Sequence, residues 1–482
     1  MWRLDGPGDT RDPELLHAIS VVRAHSAFFD PSRPLVAARA PGRLDVMGGI
    51  ADYSGSLVLE MPLGVATWVV AQASDEPTMS VLSTALDGPP AERELTMPMH
   101  ALAPAAGPLD YPAAHALLTG QSHKAWGAYV AGAVVVLHHE FGRVFDGGLR
   151  CLVHSDVPIG KGLSSSAALE VSTLRALAAL ADLAIAGREL ALLAQRVENL
   201  VVGAPCGIMD QMTSACGERD HLLVLICQPA ELRDHVRLPA ELQLWGIDSG
   251  ISHAVSGADY TSVRVGAFMG YRILAQEAQL VTTPTAEGRV VVQDPAWRGY
   301  LANVTPSTWR SRFRERVPEK MEGRSFLVRY GGITDAVTRV DPDRTYAVRA
   351  CTEHPIDEHH RVRLFHGLLE GGAKTEEHRE LLGELMYESH ASYGACGLGS
   401  DGTDWLVARV RKAGPAAGLY GAKITGGGSG GTVAVLAAAG SRPEIERLLT
   451  EYGRETGRPG AIFGGSSHGA LGTPVRKLVP EG

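Results

Sequence analysis

A glycine- and serine-rich segment, residues 156–168, constrains the fold of this 482-residue chain more than any other feature. It reads Asp-Val-Pro-Ile-Gly-Lys-Gly-Leu-Ser-Ser-Ser-Ala-Ala. The apolar run Leu149–His154 before it predicts a strand, and apolar residues recurring from Val171 to Leu183 predict a core-facing helix after it. Glycines let a backbone pass close to an anion, and a helix N-terminus adds positive potential. The segment therefore predicts a phosphate site, with a simple capped helix as the alternative.

The spacing of this segment separates it from two common phosphate-binding loops. It lacks the GxxxxGK[ST] pattern of a Walker loop and the GxGxxG pattern of a dinucleotide fingerprint. Its serine hydroxyls are suitable donors to phosphate oxygens and suitable ligands for Mg²⁺, a hard cation that favours oxygen.

Two acidic residues frame the next informative stretch. Glu198 lies in a predicted helix, 188–201, and Asp210 lies in the first turn of another helix, directly after a tight turn at 203–207. A lone glutamate on a helix is usually solvated, but a carboxylate in a first helical turn is stabilised as an anion. The setting makes this pair a candidate for chemistry.

Two further segments complete the set. Residues 41–53 read Pro-Gly-Arg-Leu-Asp-Val-Met-Gly-Gly-Ile-Ala-Asp-Tyr, and residues 423–432 read Lys-Ile-Thr-Gly-Gly-Gly-Ser-Gly-Gly-Thr. The glycine turn alone is compatible with a tight hairpin. Because it leads into a predicted strand, Thr432–Ala437, and not into a helix, it argues against a dinucleotide-dependent oxidoreductase.

The remaining regular elements are predicted from apolar runs and helical periodicity. The predicted strands are Leu35–Ala40, Val65–Ala71 and Leu242–Asp248, and the predicted helices are Trp126–His139, Thr375–Tyr393 and Asp401–Lys412. Residues 76–120 are rich in proline, alanine and glycine and are expected to have little regular structure.

The four segments resemble the signatures of the GHMP kinases, in that family's order, and residues 205–211 match the galactokinase string Pro-Cys-Gly-Ile-Met-Asp-Gln residue for residue. The resemblance implies an α+β, two-domain GHMP kinase fold with the active site in the cleft between the domains. It places an N-terminal domain at 1–230 and a C-terminal domain at 231–482, with an elaboration near 281–357.

The resemblance also implies ATP and Mg²⁺, and it assigns roles by position. Asp210 would accept the proton of the sugar hydroxyl, either by removing it or by orienting the hydroxyl. Arg43 would stabilise Asp210 as an anion together with the charge of the transferring phosphoryl group. The Mg²⁺ ligands would be Ser166 and Glu198. The nucleotide-binding residues would be Pro158, Gly160, Gly162, Leu163, Ser164, Ser165, Ser166 and Ala167. The sugar-binding residues would be Gly49, Ile50, Asp52, Tyr53, Gly207, Asp210, Tyr260, Gly427 and Gly428. Trp126 would line the adenine pocket, with a core tryptophan as the alternative.

The sugar is inferred from a departure from the galactokinase pattern. Galactokinases have a Glu-His pair near the C6 hydroxymethyl group of the sugar, and this chain has Gly49 and Ile50 there. L-Arabinopyranose has the ring stereochemistry of D-galactopyranose without that group. Residues from 37 onward also resemble the kinase module of plant L-arabinokinases, which implies a sugar 1-kinase that forms L-arabinose 1-phosphate.

Two other functions stay open at this stage. One is a galactokinase with relaxed recognition at C6. Replacing Gly49 with glutamate and Ile50 with histidine is expected to raise the use of galactose by this protein relative to arabinose. The other is a non-catalytic sensor of sugar and ATP, against which the retention of Asp210, Glu198 and the Ser166-Ala167 pair argues.

Composition narrows partners and location. A net charge of −9 without a lysine or arginine block disfavours nucleic acid as a partner. The longest charge-free apolar run, 125–137, is too short to span a membrane. Six scattered cysteines, no CxxC pair and an N-terminal segment without an apolar core predict a cytoplasmic protein. The expected partners are small molecules, a sugar and ATP, and nothing in the sequence indicates an oligomeric state.

Overall fold

Two β-sheets organise the computed structural model, which describes residues 2–5, 13–86, 88–120, 125–142, 145–252, 258–285 and 288–481. Its strands are Trp2–Leu4 (β1), Leu35–Met47 (β2), Leu57–Ser74 (β3), Thr78–Ser83 (β4), Glu94–Pro98 (β5), Gly148–Ser155 (β6), His221–Ile226 (β7), Glu231–Arg237 (β8), Leu242–Asp248 (β9), Thr282–Pro284 (β10), Val290–Val292 (β11), Met321–Glu322 (β12), Thr345–Tyr346 (β13), Leu419–Ile424 (β14), Thr432–Ala438 (β15), Ile462–Phe463 (β16) and Arg476–Pro480 (β17).

The helices surround these sheets and include two long ones, α9 and α12, in the second half of the chain. They are Pro13–Ala24 (α1), Pro90–Arg93 (α2), Met99–Leu102 (α3), Tyr111–Thr119 (α4), Gly127–Phe141 (α5), Ser165–Leu180 (α6), Gly187–Arg196 (α7), Met209–Cys216 (α8), Ala258–Glu277 (α9), Pro306–Thr308 (α10), Gly323–Tyr330 (α11), Val348–Glu370 (α12), Glu376–Ala395 (α13), Asp401–Ala413 (α14) and Arg442–Thr456 (α15).

The first sheet has the order β1-β17-β2-β3-β6-β4-β5, and the long strand β3 also pairs with β7, which pairs with β8. Helices α5, α6 and α7 bury their apolar residues in one large core cluster with residues of β3, β4 and β6. A helix that is apolar over most of its circumference, as α5 is, belongs in such a core. This packing places the loop before α6 against the interior of β2 and β3, where Arg43 N–H donates to the Leu163 carbonyl and Asp156 N–H to the Ala66 carbonyl.

The second sheet is antiparallel, with the order β14-β15-β9-β16. Helices α14 and α15 pack on it through Leu406, Val410, Ile445 and Leu448. A separate cluster joins the two halves of the molecule, because it contains residues of β2 and β3 together with Leu244, Leu436 and Met386. The cleft between the sheets is therefore closed at its base by a continuous apolar core.

The structure confirms the strand Leu242–Asp248 and the helices near 126–139, 375–393 and 401–412. Two predictions were wrong. Residues 76–120 contain β4, β5 and α4, whose short runs are separated by prolines that mask the pattern. The strand predicted at Leu35–Ala40 continues to Met47, so that Arg43 lies in a strand and not in a turn. Every residue of β2 is buried, and the Pro41-Gly42 pair within it is typical of a turn, so the sequence does not reveal the full length of the strand.

The predicted division at residue 230 does not coincide with a boundary between sheets. Strand β8, which begins at Glu231, pairs with β7 in the first sheet. The C-terminal strand β17 also returns to the first sheet, between β1 and β2. Among the described residues, no helix has both the length and the apolar composition needed to cross a bilayer.

Candidate active site

Arg43 lies at an irregularity of strand β2 that points its side chain into the cleft. The register with β3 shifts between Pro41 and Arg43, as in a β-bulge, which re-aims side chains and is common beside active sites. A Cβ at Gly42 would lie 2.7 Å from the carbonyl oxygen of Leu163, so only glycine allows the loop to approach this closely. The Arg43 backbone N–H donates to that same carbonyl at 3.1 Å.

The Arg43 guanidinium is buried and holds Asp210. Its Nε and Nη2 lie 2.9 and 2.7 Å from Asp210 Oδ1, and its Nη1 donates to the Gly162 carbonyl at 2.7 Å. Glu60, fully buried on β3, lies 3.2 Å from Nε. Burial alone lowers the pKa of Arg43, but Asp210, Glu60 and Asp45 together raise it above its ordinary value. Arg43 is therefore a permanent cation beside Asp210.

The segment 156–168 wraps the N-terminus of α6, as predicted. Gly160 and Gly162 have φ values of 71° and 73°, and Ser164, directly before the helix, has a φ of 60°. A serine in this left-handed conformation is strained, and such strain is typical of functional loops. Its hydroxyl oxygen is buried and has no hydrogen-bond partner. An unpaired donor at a helix N-terminus is suited to a phosphate oxygen.

A cavity of about 200 Å³ lies between this loop, α8 and the segment 49–54. It contains most of the residues that the sequence predicted for the site: Arg43, Gly49, Ile50, Asp52, Gly160, Gly162, Ser164, Ser165, Ser166, Glu198, Gly207, Asp210, Tyr260 and Gly427. These residues come from five separate segments of the chain.

Five predicted residues do not line this cavity. Leu163 packs in the core between the sheets, and Ala167 is fully buried in α6. Pro158 is half-buried in the loop beside them. A Cβ at Gly428 would lie 2.7 Å from Cβ of Leu398, so this glycine serves a close packing contact.

Tyr53 is the fifth, and it supports the wall of the cavity from behind. Its ring packs edge-on against Tyr260, at 6.1 Å between centroids, and the Arg264 guanidinium lies 5.4 Å from its ring centre on another side. The Arg264 side chain also donates to the Cys206 carbonyl at 3.2 Å. Tyr53 therefore packs behind Tyr260 and does not itself line the cavity.

Asp52 lies against the segment that carries Asp210. A Cβ at Gly207 would lie 1.6 Å from Asp52 Oδ2, so the glycine at 207 leaves room for this carboxyl group. Burial, followed by the negative charge of Asp210, raises the pKa of Asp52 to about 7. The cavity thus has two carboxyl groups, on Asp52 and Asp210, that differ in environment.

Another pair of acidic residues, Glu198 and Glu170, lies where the sequence predicts Mg²⁺. Glu198 sits in a π-helical turn, 197–202, and the side chain of Ser166 is hydrogen-bonded to it. Burial raises the pKa of Glu198 to about 7, and burial together with Glu198 raises the pKa of Glu170 well above its ordinary value. Gln211 Nε2 lies 2.6 Å from Glu198 Oε2 and 3.4 Å from Glu170 Oε2. Two buried carboxyl groups and a hydroxyl form an all-oxygen set that fits a hard divalent cation.

Tyr393 occupies the space in which a side chain at position 49 would begin. A Cβ built on Gly49 would lie 1.5 Å from the Tyr393 hydroxyl oxygen and 2.6 Å from Asp45 Oδ2. That hydroxyl accepts from the Ile50 N–H at 2.9 Å and donates to the Gly426 carbonyl at 3.0 Å. The galactokinase-like Glu-His pair would therefore require a different partner at position 393.

Asp45 connects the segment after β2 to the glycine turn through hydrogen bonds and an ion pair. Its Oδ1 accepts from the Gly49 N–H at 3.1 Å, and its Oδ2 accepts from Lys423 Nζ at 2.7 Å and from the Gly426 N–H at 3.1 Å. Asp45 and Lys423 are both fully buried. The glycine turn after β14 is thereby fixed to the segment that follows β2, across the two sheets.

A smaller apolar slot of about 140 Å³ adjoins the phosphate loop. Trp126, Leu86 and Leu169 line it, and Ser165 and Ser166 lie at the end shared with the main cavity. Its apolar lining, which includes the ring of Trp126, suits a heteroaromatic base.

Comparison with known proteins agrees with this geometry. Residues 23–73 match the galactokinase galactose-binding signature, residues 128–218 match the GHMP kinases N terminal domain, and residues 370–455 match the GHMP kinases C terminal. A galactokinase of Streptomyces coelicolor is 30% identical, over 86% of this chain and 87% of its own length. The chain belongs to the GHMP kinase family.

Other relatives differ in how much of their length is matched. The L-arabinokinase of Arabidopsis thaliana is 42% identical over 93% of this chain but over 47% of its own length. This chain thus spans about half the length of the plant protein. A galactokinase of Chloroflexus aggregans is 29% identical over 88% of this chain and 90% of its own length.

Solved structures confirm the GHMP kinase fold. The crystal structure of Lactococcus lactis galactokinase complexed with galactose superposes with a TM-score of 0.72, at 19% identity, over 94% of this chain and 99% of that chain. The Methanococcus jannaschii mevalonate kinase gives a TM-score of 0.54 at 14% identity, over 89% and 98% of the two chains. The predicted α+β, two-domain fold is confirmed.

Several residues of this GHMP kinase site were not predicted from the sequence. Glu60 had a usable signal, because it is one acid within the apolar strand segment Leu-Val-Leu-Glu-Met. Asp45 had another, since it lies two residues after Arg43 in the first signature. Tyr393 and Glu170 had none: each lies on a long helix whose pattern is satisfied by ordinary packing.

Proposed function

We propose that this GHMP kinase transfers the γ-phosphoryl group of ATP to the anomeric hydroxyl of L-arabinose, giving L-arabinose 1-phosphate and ADP. The observation that carries the choice of sugar is the position of the Tyr393 hydroxyl, 1.5 Å from where Cβ of a residue 49 side chain would lie. This geometry excludes a glutamate at position 49, and Ile50 lines the cavity beside it.

The proposed step uses Asp210 and Arg43. The anomeric oxygen attacks the γ-phosphorus, its proton passes to Asp210, and the bond from phosphorus to the bridging oxygen of ADP breaks. Arg43 is 2.7 Å from Asp210 Oδ1 and stabilises both that anion and the negative charge of the transferring group. Positioning and charge neutralisation are the main contributions that a protein makes to this reaction.

The nucleotide would lie along the phosphate loop. Gly160, Gly162 and the N-terminus of α6 would contact its phosphates, and the apolar slot with Trp126 would hold the base. We propose Ser166 and Glu198 as ligands of Mg²⁺, which neutralises phosphate charge when bound. The all-oxygen donor set and the raised pKa of Glu198 support this assignment.

The sugar would lie against Asp52, Gly207 and Tyr260, which line the cavity next to Asp210. A galactose hydroxymethyl group pressed against Ile50 would lose its water without gaining a partner. That loss costs about 1–3 kcal/mol, a discrimination of roughly tenfold to a hundredfold in favour of arabinose. The high identity to the plant L-arabinokinase supports the same choice.

Two further assignments, the division into domains and the location in the cell, go with this proposal. We propose an N-terminal domain of residues 1–230 and a C-terminal domain of residues 231–482, whose strands β8 and β17 pair within the first sheet. We also propose a cytoplasmic location, which the free state of all six cysteines supports.

Incubation with ATP, Mg²⁺ and L-arabinose, followed by phosphorus and proton NMR of the product, tests the reaction. We expect a phosphate on the anomeric carbon, and the Asp210→Asn variant is expected to lose turnover at least about a thousandfold while still binding ATP. A phosphate at another carbon, or near-normal turnover by Asp210→Asn, would contradict the proposal.

A further inference from the structure

Two histidines and an aspartate lie together on the far side of strand β6 from the nucleotide slot. His17 projects from α1, and His154 and Asp156 come from the end of β6 and the residue after it. One ligand atom of each lies within 4.8 Å of the others, and His154 Nε2 is 3.9 Å from Asp156 Oδ1. Val153 and Ser155 alternate with His154 and Asp156 along the chain, and they face the apolar slot on the opposite side of the strand. The cluster therefore lies outside the kinase site.

His17, one of the three residues of this cluster, has an unpaired ring nitrogen. Its Nε2 is buried and has no hydrogen-bond partner. Buried polar nitrogens are paired in the great majority of cases, and leaving one unpaired costs about 1–3 kcal/mol. An electron-pair acceptor beside His17 would remove that cost.

His154 is oriented as a metal-binding histidine would be. Its Nδ1 is 2.8 Å from Thr84 Oγ1, whose hydroxyl donates to the Val153 carbonyl at 3.2 Å. In the tautomer with the hydrogen on Nδ1, His154 donates it to Thr84 Oγ1. The lone pair is then on Nε2, which faces Asp156. A hydrogen bond of this kind fixes the tautomer in metal sites.

The charges around the cluster leave Asp156 accessible. Its side chain is 57% exposed, which gives a cation and its water a path to the site. The nearby Arg39 guanidinium donates to the Gly64 carbonyl at 2.8 Å and to Ser467 Oγ at 3.0 Å, and it faces Glu14 at 3.9 Å.

We propose that His17, His154 and Asp156 bind a divalent first-row transition metal ion, with zinc as the best fit and water as the fourth ligand. Two imidazoles and one carboxylate suit Zn²⁺, Co²⁺ or Ni²⁺, whereas Mg²⁺ and Ca²⁺ prefer oxygen ligands alone. Neighbouring ligand atoms of a tetrahedral zinc site are about 3.4 Å apart. Rotation of the exposed Asp156 side chain and the half-buried His17 side chain, which moves their ligand atoms by about 1 Å, brings the cluster to that spacing.

The bound ion would link α1 to the start of the phosphate loop. Helix α1 rests on the first sheet through Ala18, Val21 and Val22, and Asp156 is the residue at which the loop begins. Metal binding would therefore stabilise the docking of α1, as any ligand stabilises the state that it binds.

Zinc titration of the full-length, tag-free protein after treatment with a chelator tests this site. Competition with a chromophoric chelator gives the affinity, and elemental analysis after dialysis gives the stoichiometry. We expect one Zn²⁺ per chain, and His17→Gln and His154→Gln are each expected to weaken binding at least about tenfold. The matched control is His221→Gln, which removes a histidine whose Nδ1 bonds the Arg219 carbonyl at 2.8 Å and which should bind zinc as the wild type does.

Substitution of Co²⁺ adds a readout that folding defects do not imitate. A tetrahedral site should give intense visible absorption bands in the wild type and in His221→Gln, and weak ones in His17→Gln. His17→Gln should keep its far-UV circular dichroism and its kinase activity with Mg²⁺. The proposal is overturned if the wild type binds no zinc at micromolar concentrations, or if His17→Gln binds zinc and cobalt as the wild type does.

Discussion

The substitution Gly49→Ala probes the contact on which the sugar assignment rests. The new Cβ would lie 1.5 Å from the Tyr393 hydroxyl oxygen and 2.8 Å from its Cζ, distances that no real contact shows. The tyrosine has no room to retreat, because it is fully buried, packs edge-on against His354 at 5.2 Å and lies under Lys423 at 5.1 Å. We therefore expect the side chain of Tyr393 to be displaced.

The cost of that displacement has three parts. The Ile50 N–H and the Gly426 carbonyl would lose their bonds to the hydroxyl, and each unpaired group costs about 1–3 kcal/mol. Overpacking adds about 1–3 kcal/mol. The left-handed backbone of residue 49, with a φ of 33°, adds about 1 kcal/mol for alanine. Partial relaxation keeps the sum at about 3–6 kcal/mol of the free energy of unfolding.

Urea denaturation of Gly49→Ala and of a matched control measures this cost. The control is Gly394→Ala, one residue from Tyr393 on helix α13, where an added Cβ meets nothing within 4 Å. We expect Gly394→Ala to be neutral or to stabilise the protein by up to about 1 kcal/mol.

Removal of the tyrosine hydroxyl should partly rescue the variant. In Gly49→Ala with Tyr393→Phe, the atom at 1.5 Å is gone and the nearest ring carbon is at 2.8 Å. A double-mutant cycle is expected to give a favourable coupling of at least about 1 kcal/mol. The reasoning is refuted if Gly49→Ala unfolds within about 0.5 kcal/mol of Gly394→Ala and retains the wild-type KM for L-arabinose. For the same reason, the exchange of both Gly49 and Ile50 for the galactokinase pair is now expected to fail without a change at Tyr393.

Three further outcomes follow from the site. Ile50→Asn supplies a hydrogen-bond partner and should raise kcat/KM for D-galactose relative to L-arabinose by about tenfold. The control Ile50→Val only adds space and should change this ratio by less than about threefold. Steady-state kinetics on both sugars measures the ratio. Because Glu198 has a pKa of about 7 and must ionise to hold Mg²⁺, calorimetric affinity for Mg²⁺-ADP should increase as pH rises from about 6 to about 8, and Glu198→Gln should abolish that increase; a pH-independent wild type would contradict the metal assignment. Asp52 has a pKa of about 7 in the folded protein against an ordinary 3.8, so the folded state binds the extra proton, and the stability of the ligand-free protein should fall as pH rises between about 4 and about 7. Asp52→Asn should flatten that slope in urea melts, and an unchanged slope would show that Asp52 is already ionised.

The sequence was most informative where chemistry requires particular residues in a short segment. The phosphate loop and the pair Glu198 and Asp210, which glycine freedom and carboxylate placement mark in the sequence, line one cavity in the structure. Arg43 was singled out in the sequence, but the predicted strand ended at Ala40 because Pro41-Gly42 resembles a turn, whereas the strand continues to Met47.

Contacts between distant segments were beyond local pattern. Tyr393 and Gly49 are far apart in the chain and meet only because α13 packs on β14, under the glycine turn. Tyr53 was expected at the sugar and lies behind Tyr260, because the short 3₁₀ segment 49–54 turns successive side chains to different sides. Which of several neighbouring side chains faces the cavity depends on the local backbone geometry, which the residue types alone do not show.

The ratio of kcat/KM for L-arabinose to that for D-galactose, measured by ADP release on the wild-type protein, tests the central claim most directly. A cavity in which Gly49 and Ile50 take the place of partners for the hydroxymethyl group should favour arabinose by roughly tenfold to a hundredfold. D-Fucose, which has a methyl group at that position, should fall between the two. Faster turnover of D-galactose than of L-arabinose would contradict the assignment.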